Sequence, residues 1–387
     1  MNALPAEVVA HQPRVRAALE TALDAGPSHA YLFRGPRGSG KRAAARSFAG
    51  EILASAATDP DDTRRRALLD PSPHPDLVWL APSGAQHLVE EVRERVIRAA
   101  VYRPFEGGRR VFVIEAAEAL RDESQNALLK TLEEPPAFVH ILLLSSEPEA
   151  LLETVVSRCQ EVEFAPLPPD TIEAALRGSV EDSSAERPEV PGIAGDPGRS
   201  GAEEVAAAAR LAAGDLELAR FLLGERGREL CAGAQRCAAS VAQGAEDDEP
   251  PWRDLLSGAE SAGEEAEAAA REVLAAEVEA GVKRSKREID EEARRIGRRR
   301  RTEQLELGLD LLAAWFRDLA AVAFGAEEVA LNRDRIDALR AQAAGIDAAR
   351  ARRAVELVQD TRRRLDLNVS EELALEALFS RLRRIAG

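Results

Sequence analysis

Apolar and polar positions alternate in two distinct ways along the chain. Over residues 1–165, short apolar runs recur between amphipathic stretches. Ala30–Phe33, Asp76–Ala81, Arg110–Glu115, Ile141–Ser146 and Glu161–Phe164 read as strands. Pro13–Ala25, Lys41–Ser55, Ala85–Ala100, Asp122–Leu132 and Pro148–Ser157 read as the helices between them. A nearly continuous run such as Val111-Phe112-Val113-Ile114 is expected in a parallel strand covered on both faces. After Pro166-Leu167-Pro168-Pro169 the period becomes helical. A small helical unit is expected from Thr171 to Gly224, interrupted by an acidic Gly/Pro/Ser-rich loop near 179–201. A second linker spans Gly244–Pro251 and includes Glu246-Asp247-Asp248-Glu249.

Beyond that linker everything reads as helix. Leu305, Leu309, Leu312, Phe316, Leu319 and Ala323 fall at alternating steps of four and three, which makes one buried stripe. Leu307, Leu311, Trp315 and Val322 broaden it. Two readings stay open: the interior helix of a bundle, or a seam between subunits. Ala354, Val358, Thr361 and Leu365 mark another helix, and Leu375, Leu378, Leu382 and Ile385 a last one. No repeat of solenoid length is present.

Composition narrows the class. The 387 residues are 45% apolar, ample for two or three domains. A formal net charge of -16 argues against an autonomous DNA-binding protein, which would present a basic face. Three cysteines, Cys159, Cys231 and Cys237, make neither a disulfide framework nor a Cys-rich zinc site, so a reducing cytoplasm is the expected setting. No basic region followed by an apolar core opens the sequence, so no signal peptide is expected. Leu309–Phe324, the most apolar helical stretch, carries Arg317 and Asp318 and is too short to span a bilayer.

The sharpest chemical signal is Gly35-Pro36-Arg37-Gly38-Ser39-Gly40-Lys41-Arg42. It follows one strand and opens a helix, the setting a phosphate-binding P-loop needs. Gly35, Gly38 and Gly40 let backbone N–H groups turn toward a phosphate, the helix N-terminus adds positive charge, and Lys41 reaches the β/γ-phosphates. A Ser or Thr at 42 would hold Mg²⁺; Arg42 has donors only. Without its context the spacing is a weak signal, equally that of a Gly-rich turn feeding a helix. A hydrolysing site also needs an acidic pair after a second strand. Val111–Ile114 runs into Glu115-Ala116-Ala117-Glu118. Glu115 could orient a metal, whereas Ala116 has no acid–base chemistry. With hydroxyl and base both absent, hydrolysis is expected to fall to a trace. Glu118, Arg121, Asp122 and Glu123 read as a solvated helix start.

Ser157-Arg158-Cys159 ends a helix before the last strand. Arg158 there can reach a phosphate bound to a neighbouring subunit, or it is a surface arginine pairing with Glu153 or Glu161. Arg298-Arg299-Arg300-Arg301, near Lys283, Arg284, Lys286 and Arg287, is interleaved with Glu288, Asp290, Glu291 and Glu292, the pattern of a solvated helix. The five histidines lack metal-ligand spacing.

The P-loop, the run Ser124-Gln125-Asn126-Ala127-Leu128-Leu129-Lys130-Thr131-Leu132-Glu133-Glu134-Pro135-Pro136, and Ser157-Arg158-Cys159 occur in that order. Together they resemble the bacterial clamp-loader ATPase family over the first 165 residues. Trp315-Phe316-Arg317-Asp318-Leu319, Leu331-Asn332-Arg333-Asp334, and Leu367-Asn368-Val369 followed by Leu373-Ala374-Leu375-Glu376 resemble the collar of its delta-prime-like members. The resemblance implies an α/β P-loop (AAA+-like) parallel-sheet domain over 1–165, a small helical lid over 166–243, and an all-α collar over 252–387. It implies a stationary subunit in an arc with delta and gamma/tau motor subunits, which opens a sliding clamp and places it on primed DNA. Arg158 becomes the arginine lent in trans to a motor subunit's ATP. Gly35, Gly38, Gly40, Lys41, Arg42 and Glu115 form a degenerate nucleotide site, able to hold ATP or ADP without turnover and requiring no cofactor.

Two departures sharpen this picture. Relatives often carry a four-cysteine zinc module where Ser55–Pro75 has no cysteine, so no metal is expected. Motor relatives carry a sensing arginine after a Gly-Ser turn, where Gly214-Asp215-Leu216-Glu217 offers acid, with Arg220 one turn on. The chain has no polymerase site and would be enzymatic by association only. The alternatives are an ATP-hydrolysing gamma/tau-like motor and, less well supported, a free-standing P-loop kinase. No membrane partner is expected.

Overall fold

The computed structural model describes residues 11–69, 72–82, 86–182, 201–243, 249–279, 285–365 and 370–386. Most of the expected acidic insert (183–200), residues 246–248, Lys283, Arg284 and Leu367-Asn368-Val369 lie outside the described residues. The chain divides into two compact units. One holds residues 1–171 with 214–216, and the other 172–213 with 217–387, so the second takes the expected collar and most of the expected lid, while 166–171 and 214–216 fall in the first.

The first unit is built on five parallel strands: β1 (Ala30–Arg34), β2 (Leu77–Leu80), β3 (Arg110–Ile114), β4 (Val139–Ser145) and β5 (Gln160–Glu163). Their order is β2-β3-β4-β1-β5, with β4 inserted between β3 and β1. All five strands foreseen from the apolar runs form, each within about two residues of the expected bounds. β1, β3 and β4 bury nearly every side chain, because helices cover both sheet faces. One face packs Phe33, Val111, Val113, Leu142 and Leu144 under α1 (Pro13–Ala25) and α2 (Lys41–Ala54). The other packs Leu32, Phe112, Ile114, Ile141 and Leu143 against Val92, Val96 and Leu128.

Three local expectations change. The stretch Ala85–Ala100 is not one helix. It contains α-turn α4 (Val89–Val92), a π-helical segment Arg93–Arg98 and a 3₁₀ turn Ala99–Val101, with 85 outside the described residues. A helix not foreseen, α3 (Pro60–Leu68), starts with Asp59 accepting from the Asp62 N–H at 3.1 Å and Pro60 in the first turn. It lies on α2, where the buried Glu51 carboxylate takes Arg64 at 2.8 Å. Asp122–Glu133 forms α5 as expected, but Pro148–Ser157 divides into a 3₁₀ turn (Pro148–Ala150) and α6 (Glu153–Val156).

At the sheet edge, fully buried Asp76 pairs with Arg110 at 3.2 Å. Its carboxylate also accepts from the Phe105 and Glu106 N–H groups at 2.8 and 2.7 Å. Burial of both charges is tolerated because the hydrogen bonds replace lost water.

The second unit is helical: α7 (Pro169–Asp182), α8 (Gly201–Leu211), α9 (Leu216–Leu223), α10 (Glu225–Gln243), α11 (Arg253–Glu279), α12 (Lys286–Ala323), α13 (Ile336–Ala343), α14 (Ala348–Leu365) and α15 (Glu371–Ala386). The axis is α12, 38 residues long and opened by a capping box. Ser285 accepts from the Glu288 N–H at 3.3 Å, and the Glu288 carboxylate takes the Ser285 N–H at 2.6 Å. The stripe Leu305, Leu309, Leu312, Phe316 and Leu319 is fully buried within this unit, with Trp315 beside it, so the interior-helix reading holds for these residues. Ala323, expected to continue the stripe, is exposed. The basic run is ion-paired: Arg299 with Glu303 at 2.7 Å, and Arg301 with Glu260 at 3.2 Å and with Glu371.

Two features hold the bundle in register. Asp318, fully buried, accepts from Leu331 N–H at 3.0 Å and from the Asn332 N–H and Nδ2 at 2.8 Å each. Two of the three motif fragments that resemble a collar therefore meet at one carboxylate. Where α11 crosses α12, glycine faces glycine. A Cβ on Gly297 would stand 2.8 Å from the Gly263 carbonyl oxygen and 2.9 Å from Glu267 Cβ.

That crossing yields a test by sign. In an ordinary helix interior Gly→Ala stabilises by up to about 1 kcal/mol. Gly297→Ala should instead destabilise by about 1–3 kcal/mol through overpacking. The denaturant midpoint of the helical unit, followed by circular dichroism, should fall; a rise would mean that the helices separate freely at this point.

Candidate nucleotide site of the sheet domain

The loop Gly35–Gly40 leaves the carboxyl end of β1 and opens α2, the place where open parallel sheets bind ligands. Its course is set by close contacts. Gly35 has φ +146, and a Cβ there would lie 2.2 Å from the Phe164 carbonyl oxygen, so any side chain would push loop and strand apart. The buried Gln12 amide donates to the Ser39 carbonyl at 3.2 Å and to the Ala165 carbonyl at 2.6 Å, fastening the loop to the chain beyond β5. Gly40, in the left-handed region, is the N-cap of α2, which has neither a side-chain cap nor an acid in its first turn.

Lys41 is buried and folds back on its own loop, donating to the Pro36 carbonyl at 2.6 Å and to the Gly35 carbonyl. Burial pushes its ammonium down to about 8; Glu118 and then Asp215 pull it back up, and Arg37 pushes it down further. The last three effects are coulombic, so these charges share one small region.

Arg42 and Glu115 come together. The Arg42 guanidinium lies 3.7 Å from one Glu115 carboxylate oxygen, and the Trp79 indole N–H donates to the other at 2.9 Å. The Arg42 and Arg46 guanidinium carbons stand 5.7 and 4.5 Å from the Trp79 ring centroid. An arginine at the position expected to hold Mg²⁺ through a hydroxyl thus sets a permanent cation beside the acid that would orient the metal. Among the described residues no group of three or more His, Cys, Asp or Glu is placed to hold a metal ion.

Ala116, where the general base would be, has φ 49 and ψ 57, left-handed backbone that costs a non-glycine residue about 1–2 kcal/mol. Glu118 corrects the expectation of a solvated helix start. It sits on the 3₁₀ turn Ala117–Ala119, half-buried, with Oε2 shielded and without a hydrogen-bond partner. Arg121, Asp122 and Glu123 are exposed, as expected. Residue type and spacing gave no warning of Trp79 and left Glu118 as a solvated acid; the short turn after β3 places Glu118, and sheet register places Trp79, since β2 runs beside β3 with Leu80 opposite Ile114.

Arg158 follows α6 directly. It pairs with neither Glu153 nor Glu161. Its guanidinium takes Glu133, at the end of α5, at 2.6 Å, and the Thr154 carbonyl at 2.8 Å. About a third of its side chain is exposed. Burial pushes the neighbouring Cys159 thiol up to about 12, which leaves it unreactive at neutral pH.

Fold and site together give a five-stranded parallel-sheet domain with a P-loop-like turn between β1 and α2, in which Arg42 and Ala116 stand where a hydroxyl and a base were expected. Residues 11–168 match the family described as DNA polymerase III, delta subunit. They include every strand of the sheet. The DNA polymerase III subunit delta' of Pseudomonas aeruginosa is 40% identical over 146 residues, 36% of this chain and 44% of that protein. That of Bacillus subtilis is 32% identical over 171 residues, 43% of this chain and 51% of that protein. The DNA polymerase III subunit gamma/tau of Mycobacterium bovis is 38% identical over 179 residues, 44% of this chain and 30% of that protein. The similarity thus spans about half the length of these relatives or less.

The site carries a pH signature. The folded value of Lys41, about 8, lies below its ordinary 10.5, so the unfolded chain binds more protons between the two. Stability of the sheet domain therefore rises with pH across that window, by about 1–3 kcal/mol after allowance for solvent screening. Lys41→Met, followed by denaturant midpoints at pH 7.5 and 9.5, should lack this increment; parallel pH profiles would place Lys41 in water.

Proposed function

We propose that the protein is a delta-prime-like scaffold subunit of the replicative clamp loader that lends Arg158 in trans to a neighbouring gamma/tau ATPase. In this reading residues 1–165 form the P-loop domain, 166–243 a helical lid and 252–387 a collar. Its partners are gamma/tau and delta subunits, a sliding clamp, and primed DNA reached through the assembly. It works in the cytoplasm. The observation that carries the reading is Arg42 beside Glu115: the charge a metal would neutralise already has a protein partner. ATP or ADP at the loop would be a ligand without turnover, and no cofactor is required.

Arg158 suits the role physically. Its present pair is exposed, and such pairs contribute no more than about 1 kcal/mol. A triphosphate with several charges can outcompete one carboxylate for the guanidinium fork. An arginine finger raises a partner's rate by about 10³–10⁵-fold. The motor alternative draws on the similarity to gamma/tau, and Ala116 weighs against it.

Arg158→Ala, placed in an assembly reconstituted with motor subunits, clamp and primed DNA, should lower ATP turnover and clamp loading at least tenfold while leaving assembly intact. Unchanged turnover would end the trans-arginine assignment. The isolated chain should turn over ATP only at trace rate, and Arg42→Ser with Ala116→Glu should not make it a motor; rapid turnover by the unmodified chain would favour the motor reading.

A further inference from the structure

We infer that Asp215 is a tethered anion seated on the P-loop, and that its carboxylate decides whether this loop accepts a polyphosphate. A Cβ built on Gly38, at φ +66, would lie 1.7 Å from Asp215 Cγ and 2.0 and 2.2 Å from its two oxygens. The carboxylate is therefore packed against the loop backbone itself. Lys41, the cation of the loop, responds to the Asp215 charge. Two features thus converge on one carboxylate: contact with Gly38, the second glycine of the loop, and electrostatic coupling to the P-loop lysine.

The backbone delivers Asp215 deliberately. Ala213 and Gly214 are consecutive left-handed residues, at φ 49 and 102. A Cβ on Gly214 would stand 2.9 Å from Pro166 Cβ, and the Gly214 carbonyl accepts from the Leu167 N–H at 3.4 Å. The strained turn presses on the chain just beyond β5, and the next side chain reaches Gly38. Strain of this kind persists where surrounding contacts over-determine it.

Charge arithmetic gives the consequence. Arg37, Lys41 and Arg42 bring three cations to the loop, and Glu115, Glu118 and Asp215 bring three carboxylates. A polyphosphate adds several negative charges to a region whose carboxylates already offset most of its cations, Arg46 over Trp79 included. It must also displace a carboxylate whose tether gives it an effective concentration on the order of millimolar or more. The first turn of α2 carries no acid of its own, and Asp215 at Gly38 is a carboxylate packed against the loop that leads into it. Replacing Asp215 with a neutral isostere leaves the loop more positive by one charge.

The inference goes beyond the scaffold reading and does not use Arg158, so the two stand or fall separately. The test is titration of the full chain with a fluorescent ADP analogue at pH 7.5, with and without Mg²⁺. Asp215→Asn should bind at least tenfold more tightly than the unmodified chain, with an unchanged circular dichroism spectrum. Adding Lys41→Ala should remove the gain. Glu217→Gln, two residues on and exposed, should bind as the unmodified chain does. Affinity of Asp215→Asn within twofold of the unmodified chain overturns the inference. So does a gain that survives Lys41→Ala, or an equal gain in Glu217→Gln.

Discussion

A half-buried carboxylate at the carboxyl end of a central strand must be neutralised, and in this molecule Arg42 does it. The pair with Glu115 spans 3.7 Å, and Trp79 satisfies the other oxygen. A guanidinium cannot lose its proton near neutral pH and cannot ligate a metal. The crevice at the end of β3 is thereby balanced by the protein's own side chains. On the scaffold reading proposed above, Ala116 fits this arrangement, because no attacking water would need polarising there.

The loop keeps its shape for reasons unrelated to turnover. Gly35 lies on the Phe164 carbonyl, Gln12 ties Ser39 to Ala165, and Lys41 closes on the loop carbonyls. Each contact joins the loop to the strand β5 region or to itself. A P-loop anchored in this way stabilises the sheet whether or not a phosphate is present. The helical unit is built on the same principle, with Asp318 buried at no unmet hydrogen-bonding cost.

Much of this architecture was legible from periodicity. All five strands and the buried stripe of α12 follow from apolar runs and four–three spacing, because the fully covered sheet and the central helix leave those patterns uninterrupted. The failures have local causes. The helix Pro60–Leu68 has a mean composition too polar to show a stripe, and only the Asp59–Pro60 start marks it. The π-helical segment Arg93–Arg98 keeps an apolar period while shifting register. At the site, P-loop spacing named Gly35, Gly38, Gly40, Lys41 and Arg42, and the acid expected after a second strand named Glu115; the fold brings Arg42 to Glu115. Trp79 stayed hidden because it belongs to no motif and is placed by strand register; Glu118 was named in the run after β3 but read as solvated, because its burial comes from a short turn. Glu133 as the partner of Arg158 is a tertiary contact across 25 residues of sequence, beyond the reach of local spacing.

The two ends of the sheet domain's charge pattern differ in kind. Around the loop, Lys41 is buried and responds to Glu118, Asp215 and Arg37, and Arg42 stands beside Glu115. At Arg158 the pair with Glu133 is open to water, so exchanging that partner costs little. A cation held at a domain surface can change partners on encounter, whereas buried Lys41 cannot do so without breaking its hydrogen bonds to the Gly35 and Pro36 carbonyls. Arg42 and Arg158 are both partly exposed, at 46% and 35% of the side chain, so partners and not burial separate them: Arg42 stands over the Trp79 ring as well as beside Glu115, and Arg158 is held by Glu133 and the Thr154 carbonyl.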